Sequence, residues 1–117
     1  MSFAQNNIAL LNANIIDGIG PLKKNMTILI DNGKIASITK NTKIPQDYKT
    51  YNMDGLFLLP GFIDAHTHIN TIAAATRALE SGVTTARSAN TPYYQDVALR
   101  EMVKNGNLIG PDMVAAG

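Results

Sequence analysis

Apolar and polar residues along this chain keep two rhythms, one up to His68 and another beyond it. In the first part the apolar residues fall in short β-prone runs broken by turn residues. Residues 8–16 form the first run and stop at Asp17-Gly18, with Gly20-Pro21 extending the turn. Residues 26–30 and 34–38 flank Asp31-Asn32-Gly33, where Asn32-Gly33 supplies the positive φ angles of a tight hairpin. Pro45 and its polar neighbours make a loop, residues 49–53 form a further strand, and Asp54-Gly55 turns the chain into the apolar residues 56–59. On pattern alone this half is a β-meander with no site of its own.

Beyond His68 the period moves from two toward 3.6. Asn70 or Thr71 can cap a helix over residues 72–80, with Ile72, Ala75 and Leu79 on one stripe and Arg77 and Glu80 facing elsewhere. Gly82 is placed to end that helix in a left-handed conformation, and the β-branched residues 83–87 follow as a strand. Thr91-Pro92 opens a second helix whose apolar positions are Ala98, Leu99, Met102 and Val103, with Asp96 in the first turn and Lys104 in the last, both favourable to the helix dipole. Gly106 ends it, and Gly110-Pro111 turns into a third strand over residues 113–116. Strand, helix, strand, helix, strand is the order that builds a parallel α/β sheet. The chain therefore divides into a β-rich part, residues 1–57, and an α/β part, residues 58–117.

Composition narrows the function classes. Ten basic and nine acidic residues leave a formal charge of +1, with no basic block to bind nucleic acid or an anionic membrane. Hydrophobic residues make up 45%, enough for a core and unlike a disordered tail. Cysteine is absent, so disulfides and thiolate ligands are excluded and a reducing, cytoplasmic compartment is expected. Residues 1–7 lack the charged start and apolar core of a leader, and no apolar run approaches the roughly 18 residues of a membrane span.

The chemistry gathers in residues 58–68, which hold the only two histidines of the sequence. Pro60 and Gly61 punctuate the run, and the residues after them suit a short, mostly buried strand. A period of two puts Asp64, His66 and His68 on one face. Imidazoles at i and i+2 stand about 7 Å apart along the backbone, so both can lean onto one cation. Asp64 has two readings: it fixes the tautomer of an imidazole, or it satisfies backbone donors of its own strand. Arg87 is a candidate for a substrate carboxylate at its strand's end, against the plainer reading of an exposed or ion-paired structural arginine. Tyr93 and Tyr94 suit packing at a helix entrance, and Met102 and Met113 suit the core.

Residues 60–68, Pro-Gly-Phe-Ile-Asp-Ala-His-Thr-His, resemble the first-strand signature of the amidohydrolase superfamily. Residues 82–87, and Gly110-Pro111 with Ala115-Ala116-Gly117, resemble the second strand and third-strand entry of its imidazolonepropionase-like and Xaa-Pro-dipeptidase-like branch. The resemblance implies a small β-sandwich portion followed by the first βαβαβ part of a (β/α)8 barrel. It implies a divalent metal, zinc before others and one or two ions in a complete enzyme, bound by His66 and His68 and activating water against a C–N bond in an amide, cyclic amide or dipeptide. A complete barrel needs about 250 residues, so 117 residues correspond to its first third. The family's further ligands, a lysine or glutamate, two histidines and an aspartate, lie on later strands, and the isolated chain is expected to be inactive. The alternative is a non-catalytic, self-associating module or gene remnant that binds a divalent ion weakly, because open parallel strands leave unpaired edges that favour a homo-oligomer.

Overall fold

The computed structural model describes residues 7–40 and 42–117; the leader reading of residues 1–7 falls almost wholly outside them. The chain forms two compact units, one running to Pro60 and the other from Gly61 to Gly117.

The first unit is a single sheet. Strands β1 (Ile8–Ile15), β2 (Lys23–Asp31) and β3 (Lys34–Thr39) follow one another antiparallel, as a meander would. The meander ends there. β4 (Lys49–Asn52) and β5 (Phe57–Leu58) both run parallel to β1, β4 against residues 8–11 and β5 against Asn14 and Ile15. The β2–β3 turn is the expected one: Asn32 and Gly33 have φ of 51° and 74°, and the mirror-image turn they form matches strand twist. Bulges shift the β1–β2 register around Asn12, whose φ is 56°. Ala13, Ile15 and Ile28 form the core, with Leu10, Met26, Ile30, Met53 and Leu58 packed on it.

The second unit holds the predicted alternation. β6 (Phe62–Thr67), α1 (Ile72–Glu80), β7 (Val83–Ser88), α2 (Gln95–Lys104) and β8 (Asp112–Ala115) give a parallel sheet in the order β6-β7-β8. Thr71 caps α1, its hydroxyl accepting the Ala74 N–H at 3.1 Å. Gly82, with φ of 92°, ends the segment after α1 in the left-handed region as expected. α1 packs on β7 and α2 on β8 around Ile69, Ala75, Ala86, Leu99 and Met113, with Met102 against this core.

Three expectations need correction. β6 is not buried: five of its six residues are exposed, because it is the edge strand, paired to β7 alone, while the helices cover β7 and β8. Ile72 is 52% exposed, and the inward stripe of α1 is Ala74, Ala75 and Ala78, small side chains that let the helix sit close to its sheet. The α2 stripe is likewise rotated, with Ala98 exposed and Asp96 and Leu99 buried. Among the described residues no helix is long and apolar enough to cross a membrane.

Candidate metal centre

β6 delivers Asp64 and His66, and His68 follows one residue after the strand ends. The ladder between β6 and β7 is irregular there. Asp64 faces Ala86 and Thr67 faces Ser88, so three steps on β6 span two on β7, a bulge that re-aims side chains. The two imidazoles nevertheless meet, edge to face, with ring centres 5.3 Å apart and planes at 69°. Both histidines are exposed, as their edge-strand position dictates, and they lie beside one another rather than on opposite sides of the segment. Among the described residues no group of three or more His, Asp or Glu side chains is gathered to hold a metal ion.

The surrounding contacts are mainly to backbone. Asp64 Oδ1 accepts the His66 backbone N–H at 3.1 Å, which is the second of the two roles considered for it. Arg87 is exposed, and its Nη1 reaches the Ala65 carbonyl at 3.5 Å. The Thr67 hydroxyl donates to the Arg87 carbonyl at 3.2 Å, and the Ala89 N–H donates to the Thr67 carbonyl at 2.7 Å. The ends of β6 and β7 are thereby fastened together. His68 Nδ1 lies 3.1 Å from the Asn90 carbonyl oxygen, a contact to a residue that the sequence pattern did not single out.

The segment leading into α2 departs furthest from expectation. Tyr93 and Tyr94 do not pack at the helix entrance: they are 91% and 69% exposed. Both have left-handed φ angles, 57° and 56°, which turn their side chains out of the fold. Asp96, by contrast, is completely buried and is more than a dipole partner. Its carboxylate accepts the N–H groups of Val97 and Ala116 at 2.9 Å and of Gly117 at 3.3 Å. Burial pushes its pKa up, but the Thr91 hydroxyl and the N–H groups of Gly117, Ala116 and Val97 outweigh that and hold it below the ordinary carboxylate value. Its acidic side chain in the first turn of a helix was the available signal; burial was not.

The chain matches no family model. It is 34% identical to the imidazolonepropionase of Salinispora arenicola over 94 residues, which are 79% of this chain and 23% of that protein. It is 38% identical to the dihydroorotase of Syntrophus aciditrophicus over 63 residues, 53% of this chain and 15% of the relative. Among solved structures, one from Bifidobacterium longum described as a prolidase superposes with a TM-score of 0.85 at 36% identity, covering 96% of this chain and 30% of its own. A Xaa-Pro dipeptidase with methionine bound in its active site superposes with a TM-score of 0.80 at 26% identity, over 96% of this chain and 33% of its own. The chain thus spans a third or less of each of these proteins. Relatives bearing three enzyme names converge with the backbone match on one group: the chain belongs to the amidohydrolase superfamily.

Proposed function

We propose that this chain supplies the first-strand part of the metal site of an amidohydrolase that cleaves a C–N bond in an amide, cyclic amide or dipeptide. In this reading β6, β7 and β8 are the first three strands of a (β/α)8 barrel, and His66 and His68 hold a divalent cation, zinc before others. The spacing of the two rings carries the proposal. Two imidazoles on one tetrahedral ion, with metal–nitrogen bonds of about 2.0–2.1 Å, put their ring centres about 5.2 Å apart. The observed 5.3 Å fits that requirement. The parallel order of β6, β7 and β8 fits the first turns of a barrel, and the position of the histidines at the C-terminal end of β6 fits the face where barrel enzymes carry their sites.

A bound divalent ion lowers the pKa of water to about 7 and polarises a scissile carbonyl. The chain's own residues divide the remaining work. His66 and His68 commit their lone pairs as ligands and do not serve as bases. Arg87, with its guanidinium held beside β6 by the Ala65 carbonyl, is available to a substrate carboxylate. Two histidines fall short of the three protein ligands a catalytic zinc site uses, so the 117-residue chain alone binds metal weakly and turns nothing over.

Calorimetric titration of the chain with zinc tests this directly. One weak site is expected, abolished in His66→Ala and in His68→Ala. Equal uptake by the doubly substituted chain, or none by the wild type at millimolar zinc, overturns the assignment. The metal-loaded chain is expected to leave cyclic amides and Xaa-Pro dipeptides intact.

One observation favours a second reading, self-association. The first unit carries an apolar cavity of about 170 Å³ lined by Leu10, Ile28, Ile30, Ile35, Ile38 and Leu58, and Ile35 there is 65% exposed. Light scattering after size exclusion distinguishes the two: a concentration-dependent dimer that Ile35→Lys dissociates supports association of two copies, and a monomer at high concentration refutes it.

A further inference from the structure

We propose that Asn90 is the positioning residue that fixes the tautomer of His68, an inference that rests on the metal-site reading above. The Asn90 carbonyl oxygen stands 3.1 Å from His68 Nδ1. A carbonyl has no proton to give, so Nδ1 must carry it. The neutral ring then has its lone pair on Nε2, free for a cation, whereas a ring without such a partner samples both tautomers. What aims the carbonyl is backbone conformation. Asn90 sits two residues beyond the end of β7 with φ of 60°, in the left-handed region where asparagine is among the few tolerated non-glycine residues.

The geometry is held from both sides. The Ala89 N–H donates to the Thr67 carbonyl at 2.7 Å, so the residues just before Asn90 and His68 are joined to each other. The Thr67 hydroxyl, donating to the Arg87 carbonyl, adds a second fastening one step earlier. Asn90 therefore acts through its main chain, and its side chain serves by making the left-handed conformation accessible to a non-glycine residue. Asp64, which the sequence offered for tautomer control, is occupied with the His66 backbone N–H.

The sequence makes the test simple, because only two histidines contribute imidazole signals. Nitrogen NMR of the metal-free full chain, with isotope-labelled histidine at mildly alkaline pH and with His66→Gln for assignment, reads the tautomer of His68. The expected result is a protonated Nδ1 and a bare Nε2. Asn90→Gly, which adopts positive φ freely, preserves that state. Asn90→Val, whose β-branched side chain resists it, returns His68 to a mixture of tautomers and weakens zinc binding about 10-fold or more. A wild-type His68 with its proton on Nε2, an Asn90→Val chain with an unchanged tautomer, or an Asn90→Gly chain that behaves like Asn90→Val each overturns the proposal. If the tautomer is as expected but the wild type takes up no zinc, the metal reading fails and the positioning role stands. Zinc uptake with the opposite tautomer removes the positioning role and leaves the metal reading intact.

Discussion

Replacing Asp96 by alanine tests how the second unit is held together. The carboxylate accepts two short backbone bonds, from Val97 and Ala116 at 2.9 Å, and a longer one from Gly117 at 3.3 Å. A hydrogen bond to a charged group contributes about 1.5–3 kcal/mol net, so the two short ones amount to about 3–6 kcal/mol. Removing a fully desolvated carboxylate returns part of that, which leaves a loss of about 3 kcal/mol. A small domain has only about 5–15 kcal/mol in total, so the effect is large. Both helices belong to the unit that begins at Gly61, so the helical far-UV signal during urea unfolding reports on that unit. The folded-state pKa of Asp96 is depressed, so its contribution is complete above the unfolded value of about 3.9 and disappears as pH falls through the folded value. The wild type and Asp96→Ala should thus differ by a constant amount above about pH 5 and by less in stronger acid. A difference below about 1 kcal/mol at neutral pH, or one that does not shrink in acid, refutes the role assigned to these bonds.

Gly61→Ala should destabilise the second unit by about 1–3 kcal/mol in the same assay, because the added Cβ would fall 2.7 Å from the Thr84 Cβ, which is fixed to its own backbone. Thr84→Gly, which removes the Cβ and both atoms attached to it, should relieve more of that loss than Thr84→Ser, which removes only the Cγ2. Ser88→Ala should be neutral or slightly stabilising, since the Ser88 hydroxyl is buried without a hydrogen-bond partner among the described residues; a loss above about 1 kcal/mol would reveal a bond made by that hydroxyl. Thr71→Ala should cost about 1 kcal/mol by removing the cap of α1, measurable as a lowered urea midpoint with an unchanged slope.

Local chemistry made much of the fold legible. Asn32-Gly33 specifies its turn whatever surrounds it, and Thr71 and Gly82 mark where α1 begins and ends from their own side-chain and backbone preferences. Parallel pairing of β4 and β5 with β1 was not legible, because strand direction is set by which edge is free when the chain returns, and periodicity carries no such information. Burial of β6 failed for a related reason. β6 opens on Phe62 and Ile63, yet both stay exposed because an edge strand with one neighbour is left uncovered however apolar its residues are. The stripe of α1 shifted because Ala75, not the larger Ile72, meets the sheet at close approach.

The candidate site divides along the same line. His66 and His68 could be named from sequence because two histidines separated by one residue are a local feature, and the bulge in β6 leaves their rings beside one another. Asn90 and Asp96 could not, because each is defined by its partner: one meets a ring 22 residues earlier, the other receives N–H groups 20 and 21 residues later. Both belong to the segments that follow β7, at the end of the parallel sheet where His66 and His68 also lie, whereas Arg100, Lys104 and Asp112 line a cavity by the start of β8, at the opposite end. The Thr67–Arg87, Ala89–Thr67 and His68–Asn90 contacts all lie where β6 and β7 end. That arrangement explains how the His66–His68 pair can be exposed while its rings stay beside one another. Its alignment comes from backbone carbonyls and N–H groups fastened to one another, so substitutions that alter the left-handed turn at Asn90 should disturb the histidine pair more than substitutions in the core formed by Ala75, Leu99 and Met113 that leave the fold intact.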